Sequence, residues 1–128
     1  MDTSNYQQLT RTFQRLYRFS HLSSIAGWDM MTTMPPAGSA ARGEALAEIS
    51  VLKHQILTDK KVAQWLDAAA QEDLNDVEQA NLREMTRRYQ QAAVLPEALV
   101  EAKSLAGSRC EHAWRSQRPA NDWEGFSA

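Results

Sequence analysis

The sequence predicts an all-α protein, a bundle of about five helices joined by short loops. Two patterns support this: apolar residues recur at three- and four-residue steps, and only five glycines and four prolines interrupt them. No segment shows the strict alternation of a half-buried strand. With 128 residues, 43% of them apolar, the chain has the material for one core, so we expect residues 1–128 to form a single helical domain.

The first helix is expected to cover residues from about 4 to 26. Ser4 or Asn5 can cap its start, and Gly27 stands where a left-handed residue commonly closes a helix. The segment after Gly27 contains two adjacent prolines, and we expect it to be a loop that ends in extended backbone. The residues of this helix expected to face the core are Tyr6, Leu9, Phe13, Leu16, Tyr17 and Ser20.

The other four helices begin at residues that favour a first helical turn. These starts are Pro36 to Ser39, Asp59, Asn75 or Asp76, and Pro96, and the last pattern stops at Pro119. The expected core residues are Leu46, Ile49, Leu52 and Ile56, then Val62, Trp65, Leu66 and Ala69, then Val77, Leu82, Met85 and Tyr89, and finally Leu99, Ala102, Ala106, Cys110 and Trp114. On the fourth helix, Glu84 and Arg88 have the spacing at which opposite charges meet. Since Cys110 falls on an apolar stripe, we expect a buried, unreactive thiol.

The last residues, 121–128, look like the beginning of another helix. A pair of capping residues is followed by Trp123 and Phe126, and a frayed tail rarely carries two large aromatic side chains. We therefore expect an N-terminal fragment of a longer chain, with this last helix cut short. Apolar surface left bare around Trp114, Trp123 and Phe126 is then expected to cause self-association or helix swapping.

Composition and charge argue against several classes of function. Fourteen basic and sixteen acidic residues leave a net charge of −2, which argues against a nucleic-acid partner. No apolar run approaches the roughly 20 residues that span a bilayer, and the N-terminus does not resemble a signal peptide. We expect no membrane partner. The single cysteine cannot form an internal disulfide and favours a cytoplasmic location.

No catalytic or metal-binding residue can be assigned from the sequence. His21, His54 and His112 are too far apart for two imidazoles to lie one helical turn from each other, as a helical zinc site requires. Cys110 and His112 are two residues apart, so on a helix they point to different faces and cannot act as nucleophile and base. We expect no metal and no catalytic centre within this chain.

One segment remains as a candidate site. Trp28 and Asp29 are followed by Thr32 and Met34, and an indole outside a helix needs a surface to cover its apolar area. Two interpretations stay open. In the first, Asp29 caps a single turn through the amides of Met31 or Thr32 while Trp28 plugs the end of the bundle. In the second, the segment is the rigid rim of a cleft or an interface.

The run from His21 to Pro35 resembles the N-terminal signature of the carboxypeptidase Taq family. In that family a helix ends in a Trp-Asp pair followed by Thr-x-Met-Pro. The match continues through Gly38, Arg42 and the helix at 46–54, and it reaches the aromatic residues of the tail, so it covers nearly the whole chain. The resemblance makes Arg42 a further candidate cleft-rim or interface residue, beside Trp28, Asp29, Thr32 and Met34.

The resemblance implies a largely helical, often homodimeric metallocarboxypeptidase that removes single residues from peptide C-termini. In that family, zinc or cobalt is held by an H-E-x-x-H motif and a downstream glutamate. The H-E-x-x-H motif does not occur in this sequence. The resemblance therefore implies an N-terminal helical region, inactive alone, that walls or caps the substrate cleft. A peptide substrate is then a partner of the full-length enzyme only. The alternative is a free-standing helical protein-interaction domain.

Overall fold

The computed structural model describes residues 3–128, and the protein is all-α, as predicted. Its helices are α1 Asn5–Thr32, α2 Ser39–Leu57, α3 Lys60–Ala69, α4 Asp76–Ala93, α5 Glu97–Gln117 and α6 Trp123–Ser127, with a 3₁₀ turn at Pro36–Gly38. No strand occurs in the described range. Helix α2 packs against both α1 and α5, α3 packs against α1 and α4, and α6 contacts α5. The five longer helices and the short α6 match the predicted pattern.

Residues at the helix starts explain where the helices begin. The side chains of Ser4, Asp59 and Asn75 each accept a hydrogen bond from a backbone N–H two or three residues further on. Asn75 does so within a reciprocal capping box. Pro96 precedes α5 as its N-cap, and Asp122 caps α6. The predicted starts are therefore confirmed to within a residue or two.

The first helix is longer than the sequence predicts. Helix α1 continues through Gly27 to Thr32, so Trp28 and Asp29 are helical, and the prediction that they lie in a loop is wrong. Glycine closes a helix by adopting a positive φ, and no glycine of the described range does so. Gly27 therefore lies within α1 and does not end it.

Proline ends α1. The carbonyl of Asp29 accepts hydrogen bonds from the N–H groups of Thr33, at 3.0 Å, and Met34, at 2.9 Å. Pro35 has no N–H to continue this ladder, and it disfavours helical backbone in the residue before it. Pro35 itself is extended, with ψ 143°, as predicted.

The main core lies between α1, α3 and α4. Leu9, Val62, Leu66 and Ala69 are buried there, and each was predicted to face inward. Burying a side chain such as Leu9 contributes roughly 1.5–3 kcal/mol. The partly buried residues packed against this cluster are Tyr6, Trp65, Leu82, Met85 and Tyr89. The predicted core of these three helices is thus largely correct.

Two residues predicted to face this core are instead exposed. Tyr17 is 72% exposed because it lies about 100° around α1 from Leu16, which is buried. Val77 is 69% exposed because it precedes Leu82 by five residues, about 140° around α4. Leu52 of α2 is borderline, with 36% of its surface exposed.

The inward face of α5 also differs from the prediction. Its predicted core residues, Leu99, Ala102, Ala106, Cys110 and Trp114, are all exposed. The half-buried residues follow another row: Val100, Ser104, Leu105, Ser108 and Glu111. The expectation of a buried Cys110 thiol is therefore wrong. The apolar stripe of α5 marks a face that residues 3–128 do not cover.

The charges on α4 pair differently from the prediction. Glu84 binds Arg87 at 2.7 Å, three residues on, instead of Arg88. Both spacings place side chains on the same helix face, so the sequence alone did not distinguish them. Arg88 lies over the ring of Phe13, 5.8 Å from its centre, and this cation–π contact joins α4 to α1.

Candidate functional site

The candidate site lies where α1 ends and α2 begins, and an ion pair joins the two helices there. Arg42 Nη2 donates to Asp29 Oδ2 at 2.7 Å, and Arg42 Nη1 donates to the carbonyl of Ala26 at 2.6 Å. Hydrogen bonds to charged groups are among the stronger contacts in proteins. The guanidinium therefore fixes the last turns of α1 against the beginning of α2.

The second carboxylate oxygen of Asp29 accepts a hydrogen bond from the Thr33 hydroxyl. This bond and the one from Arg42 lower the pKa of Asp29 below its ordinary 3.8, although burial by itself raises it. Asp29 is therefore ionised at neutral pH. It does not cap a turn through the amides of Met31 or Thr32, as the first interpretation supposed.

The other candidate residues are placed around this ion pair. Trp28 is 64% exposed, so it does not plug the end of the bundle. The Thr32 hydroxyl donates to the carbonyl of Trp28 at 2.8 Å, within the same helix. Met34 is half-buried beside Gly38, where an added Cβ would lie 3.4 Å from the Met34 Cγ. The structure thus brings Asp29 and Arg42 together and leaves the indole of Trp28 open.

Trp28 belongs to a larger exposed face that the sequence analysis missed. We call it the α1 outer face, formed by Tyr17, Leu22, Ile25, Trp28 and Met31, which are 53–72% exposed. The signal was present in the three-residue steps from Leu22 to Met31, beside the core row of Leu9 and Leu16. Toward the N-terminus of α1 the charged residues are basic, and no acidic residue occurs between Thr3 and Trp28.

A second exposed apolar surface lies on α5 and α6. We call it the α5–α6 face, formed by Leu99, Ala102, Ala106, Cys110, Trp114, Trp123 and Phe126. The last three line a pocket of about 290 Å³. The rings of Trp123 and Phe126 are 5.8 Å apart there. The exposure expected around Trp114, Trp123 and Phe126 is therefore present in the structure, at 46%, 71% and 45%.

The described residues do not fit a bound metal ion. Within residues 3–128, no group of three or more His, Cys, Asp or Glu side chains lies close enough to hold one. His21, His54 and His112 lie on α1, α2 and α5, three separate helices. No hydrolytic step is assigned to this part of the chain. In the same range, no helix combines the length and the apolar character needed to cross a membrane.

Fold and site together define an all-α segment with two bare apolar faces and an ion-paired helix junction. The family model for the carboxypeptidase Taq (M32) metallopeptidases matches residues 8–128. The chain therefore belongs to the carboxypeptidase Taq (M32) metallopeptidase family. The resemblance inferred from the segment around Trp28 and Asp29 is confirmed.

The relatives are about four times as long as this chain. Thermostable carboxypeptidase 1 of Thermus thermophilus is 32% identical over 126 residues, a match that covers 94% of this chain and 24% of the relative. The structure of Trypanosoma cruzi metallocarboxypeptidase 1 has a TM-score of 0.76 at 38% identity, covering 95% of this chain and 25% of that one. The BsuCP crystal structure has a TM-score of 0.91 at 22% identity, with 96% and 25% coverage, which is a likeness of fold. This chain thus spans about a quarter of each relative's length.

Proposed function

We propose that this chain is the N-terminal helical part of a metal-dependent carboxypeptidase that hydrolyses single residues from peptide C-termini. The observation that carries the proposal is the family match over residues 8–128, combined with coverage of only a quarter of each relative. Because residues 3–128 contain no group of His, Cys, Asp or Glu side chains that fits a metal, this proposal places the zinc or cobalt ion in the remaining three quarters of the enzyme. In this proposal the chain is inactive alone, and its location is cytoplasmic, as the single cysteine favours.

Within this proposal, the α1 outer face around Trp28 walls or caps the substrate cleft. The ion pair of Arg42 with Asp29 holds the last turns of α1 against α2, and the exposed indole of Trp28 projects from these turns. A preordered aromatic surface loses little conformational entropy when a peptide side chain packs against it. The peptide is a partner of the complete enzyme, because the cleft needs a second wall from the rest of the polypeptide.

Replacing Trp28 tests this role. We fuse the chain to the three quarters of the Thermus thermophilus relative that it does not match, and measure the release of C-terminal residues from a peptide series. Trp28→Ala is expected to raise KM or lower kcat by about fivefold, since an aromatic contact contributes about 1 kcal/mol. Val94→Ala is the control, because Val94 is 78% exposed and lies outside the α1 outer face. Unchanged kinetics with unchanged stability for Trp28→Ala would contradict the cleft-wall role.

The alternative, a free-standing helical protein-interaction domain, is favoured by the two bare apolar faces. Peptidase assays with added zinc or cobalt separate the two proposals. Metal-dependent turnover by the fused enzyme supports the carboxypeptidase proposal, whereas a folded but inactive fusion supports the interaction domain. Turnover by the 128-residue chain itself would contradict the statement that it is inactive alone.

A further inference from the structure

Helix α5 turns its most apolar row away from the helix it packs against. The half-buried row includes Ser104, Ser108 and Glu111 besides Val100 and Leu105. The exposed row is formed by Leu99, Ala102, Ala106, Cys110 and Trp114 and is flanked by the exposed charges of Lys103 and Arg109. A helix at the surface of a complete fold normally turns its apolar stripe toward the interior. Helix α5 therefore resembles a helix that is covered on two sides. Residues 3–128 cover only one of these sides.

The shape of this exposed row indicates what kind of element covers it. Ala102, Ala106 and Cys110 are small and four residues apart, with Leu99 and Trp114 at the two ends. Such a row forms a shallow ridge that lets a second helix approach to about 8 Å, the short end of helix–helix distances. A 21-residue helix such as α5 is about 30 Å long, which is enough for several turns of a partner helix.

The pocket at the end of the row adds an anchoring point. Trp114, Trp123 and Phe126 line an open pocket of about 290 Å³, room for one large apolar side chain, together with polar residues that include Arg118 and Asp122. Asp122 Oδ1 accepts a hydrogen bond from the N–H of Gly125 at 2.9 Å, which holds α6 and its two aromatic rings in place. Large apolar side chains that fill such pockets supply much of the energy at interfaces.

We infer that the α5–α6 face is the docking surface for an apolar helix from the remaining three quarters of a family-length carboxypeptidase. This inference rests on the proposed function. The length of polypeptide that the relatives carry beyond the matched quarter supports this choice of occupant.

Assembly from two pieces tests the inference, with Cys110 as the probe. The tagged 128-residue chain is co-expressed with the Thermus thermophilus relative lacking its matched quarter, and the purified complex is treated with a maleimide. We expect a one-to-one complex in which Cys110 reacts at least about tenfold more slowly than in the isolated chain, where it is exposed. Failure to form this complex, assembly of the chain with itself in its place, or unchanged Cys110 reactivity would overturn the inference.

A matched pair of substitutions locates the contact. Ala106→Glu places a charge in the middle of the face and is expected to reduce recovery of the complex about tenfold or more. Ala45→Glu makes the same change on the exposed side of α2 and is expected to leave recovery unchanged. Circular dichroism of each isolated variant verifies its helix content. Equal recovery of both folded variants would overturn the inference.

Activity distinguishes the failure of this inference from the failure of the proposed function. A complex that protects Cys110 but shows no metal-dependent peptidase activity contradicts the proposed function and leaves the docking surface established. An active fusion enzyme in which Cys110 stays fully reactive contradicts the docking surface and leaves the proposed function in place.

Discussion

Single carboxylates tie both ends of α1 to the rest of the chain. At its N-terminus, Glu72 Oε1 accepts hydrogen bonds from the backbone N–H of Asn5, at 2.7 Å, and from its side-chain amide, at 3.0 Å. A carboxylate at this end also complements the helix dipole. At the other end, Asp29 binds Arg42. These two contacts hold the 28-residue helix in one orientation, and the outer face with it.

The contact of Glu72 makes stability dependent on pH. Burial raises the pKa of Glu72, but hydrogen bonds from the side chain and backbone of Asn5, the backbone of Tyr6 and the side chain of Ser4 outweigh it and lower the pKa below 4.5. The stabilisation is therefore fully present above about pH 4.5 and is lost as the pH falls through the folded-state value. Glu72→Gln is expected to lower the free energy of unfolding at pH 7 by about 0.3–1 kcal/mol at low salt.

Urea denaturation across the pH range checks this prediction. The difference between Glu72→Gln and the wild type should shrink below pH 4.5, where the wild-type carboxylate becomes protonated. Asp73→Asn is the control, because it removes a charge one residue away and Asp73 has no hydrogen bond to α1 within residues 3–128. A similar loss in both variants, or a difference that does not shrink as the pH falls below 4.5, would show that the hydrogen bonds to α1 are not the cause.

At the scale of the helices, two glycines differ in their surroundings: one lies in open space and the other at a helix–helix contact. A Cβ added at Gly27, inside α1, meets no atom within 4 Å, whereas one added at Gly43 of α2 would lie 3.2 Å from the Cβ of Ser108 on α5. Gly43 is buried at that contact. The absent side chain therefore costs helix stability in α1 and permits close packing in α2.

Alanine substitution at the two positions measures this difference. Gly27→Ala is expected to raise the free energy of unfolding by about 0.5–1 kcal/mol, because alanine restricts the unfolded chain and favours the helix. Gly43→Ala is expected to stabilise less or to destabilise, since α5 must move by a few tenths of an ångström. Thermal unfolding followed by circular dichroism gives both values. Equal stabilisation by the two changes would refute the close α2–α5 contact.

At the scale of the whole molecule, the bare apolar faces are expected to make the isolated chain self-associate. Light scattering over increasing protein concentration should show a rising mean mass, by surface contact or by exchange of helices. Trp123→Gln removes a 71%-exposed ring from the α5–α6 face and is expected to weaken association. Val77→Gln removes a 69%-exposed side chain elsewhere and should have little effect. A monomer at every concentration would contradict this prediction.

The helices and their starts were predictable from the sequence because the forces that set them are local. Asp59 and Asn75 cap helices through atoms two or three residues away, and Leu9 and Leu66 follow the helical period. The end of α1 was missed because Gly27 permits a helix end without requiring one. The pairing of Asp29 with Arg42 was not visible, although both residues had been singled out, because it joins two helices. The single domain over residues 1–128 stays a prediction.

The amino-acid sequence by itself determined the all-α class, the number of helices and the family, through period, capping and the segment around Trp28. Only the tertiary structure decided that the Trp28 indole is exposed, that Cys110 faces outward and that α5 packs through its less apolar side. The physical reason is that an amphipathic pattern identifies an apolar face of a helix. The pattern does not say which neighbouring element covers that face.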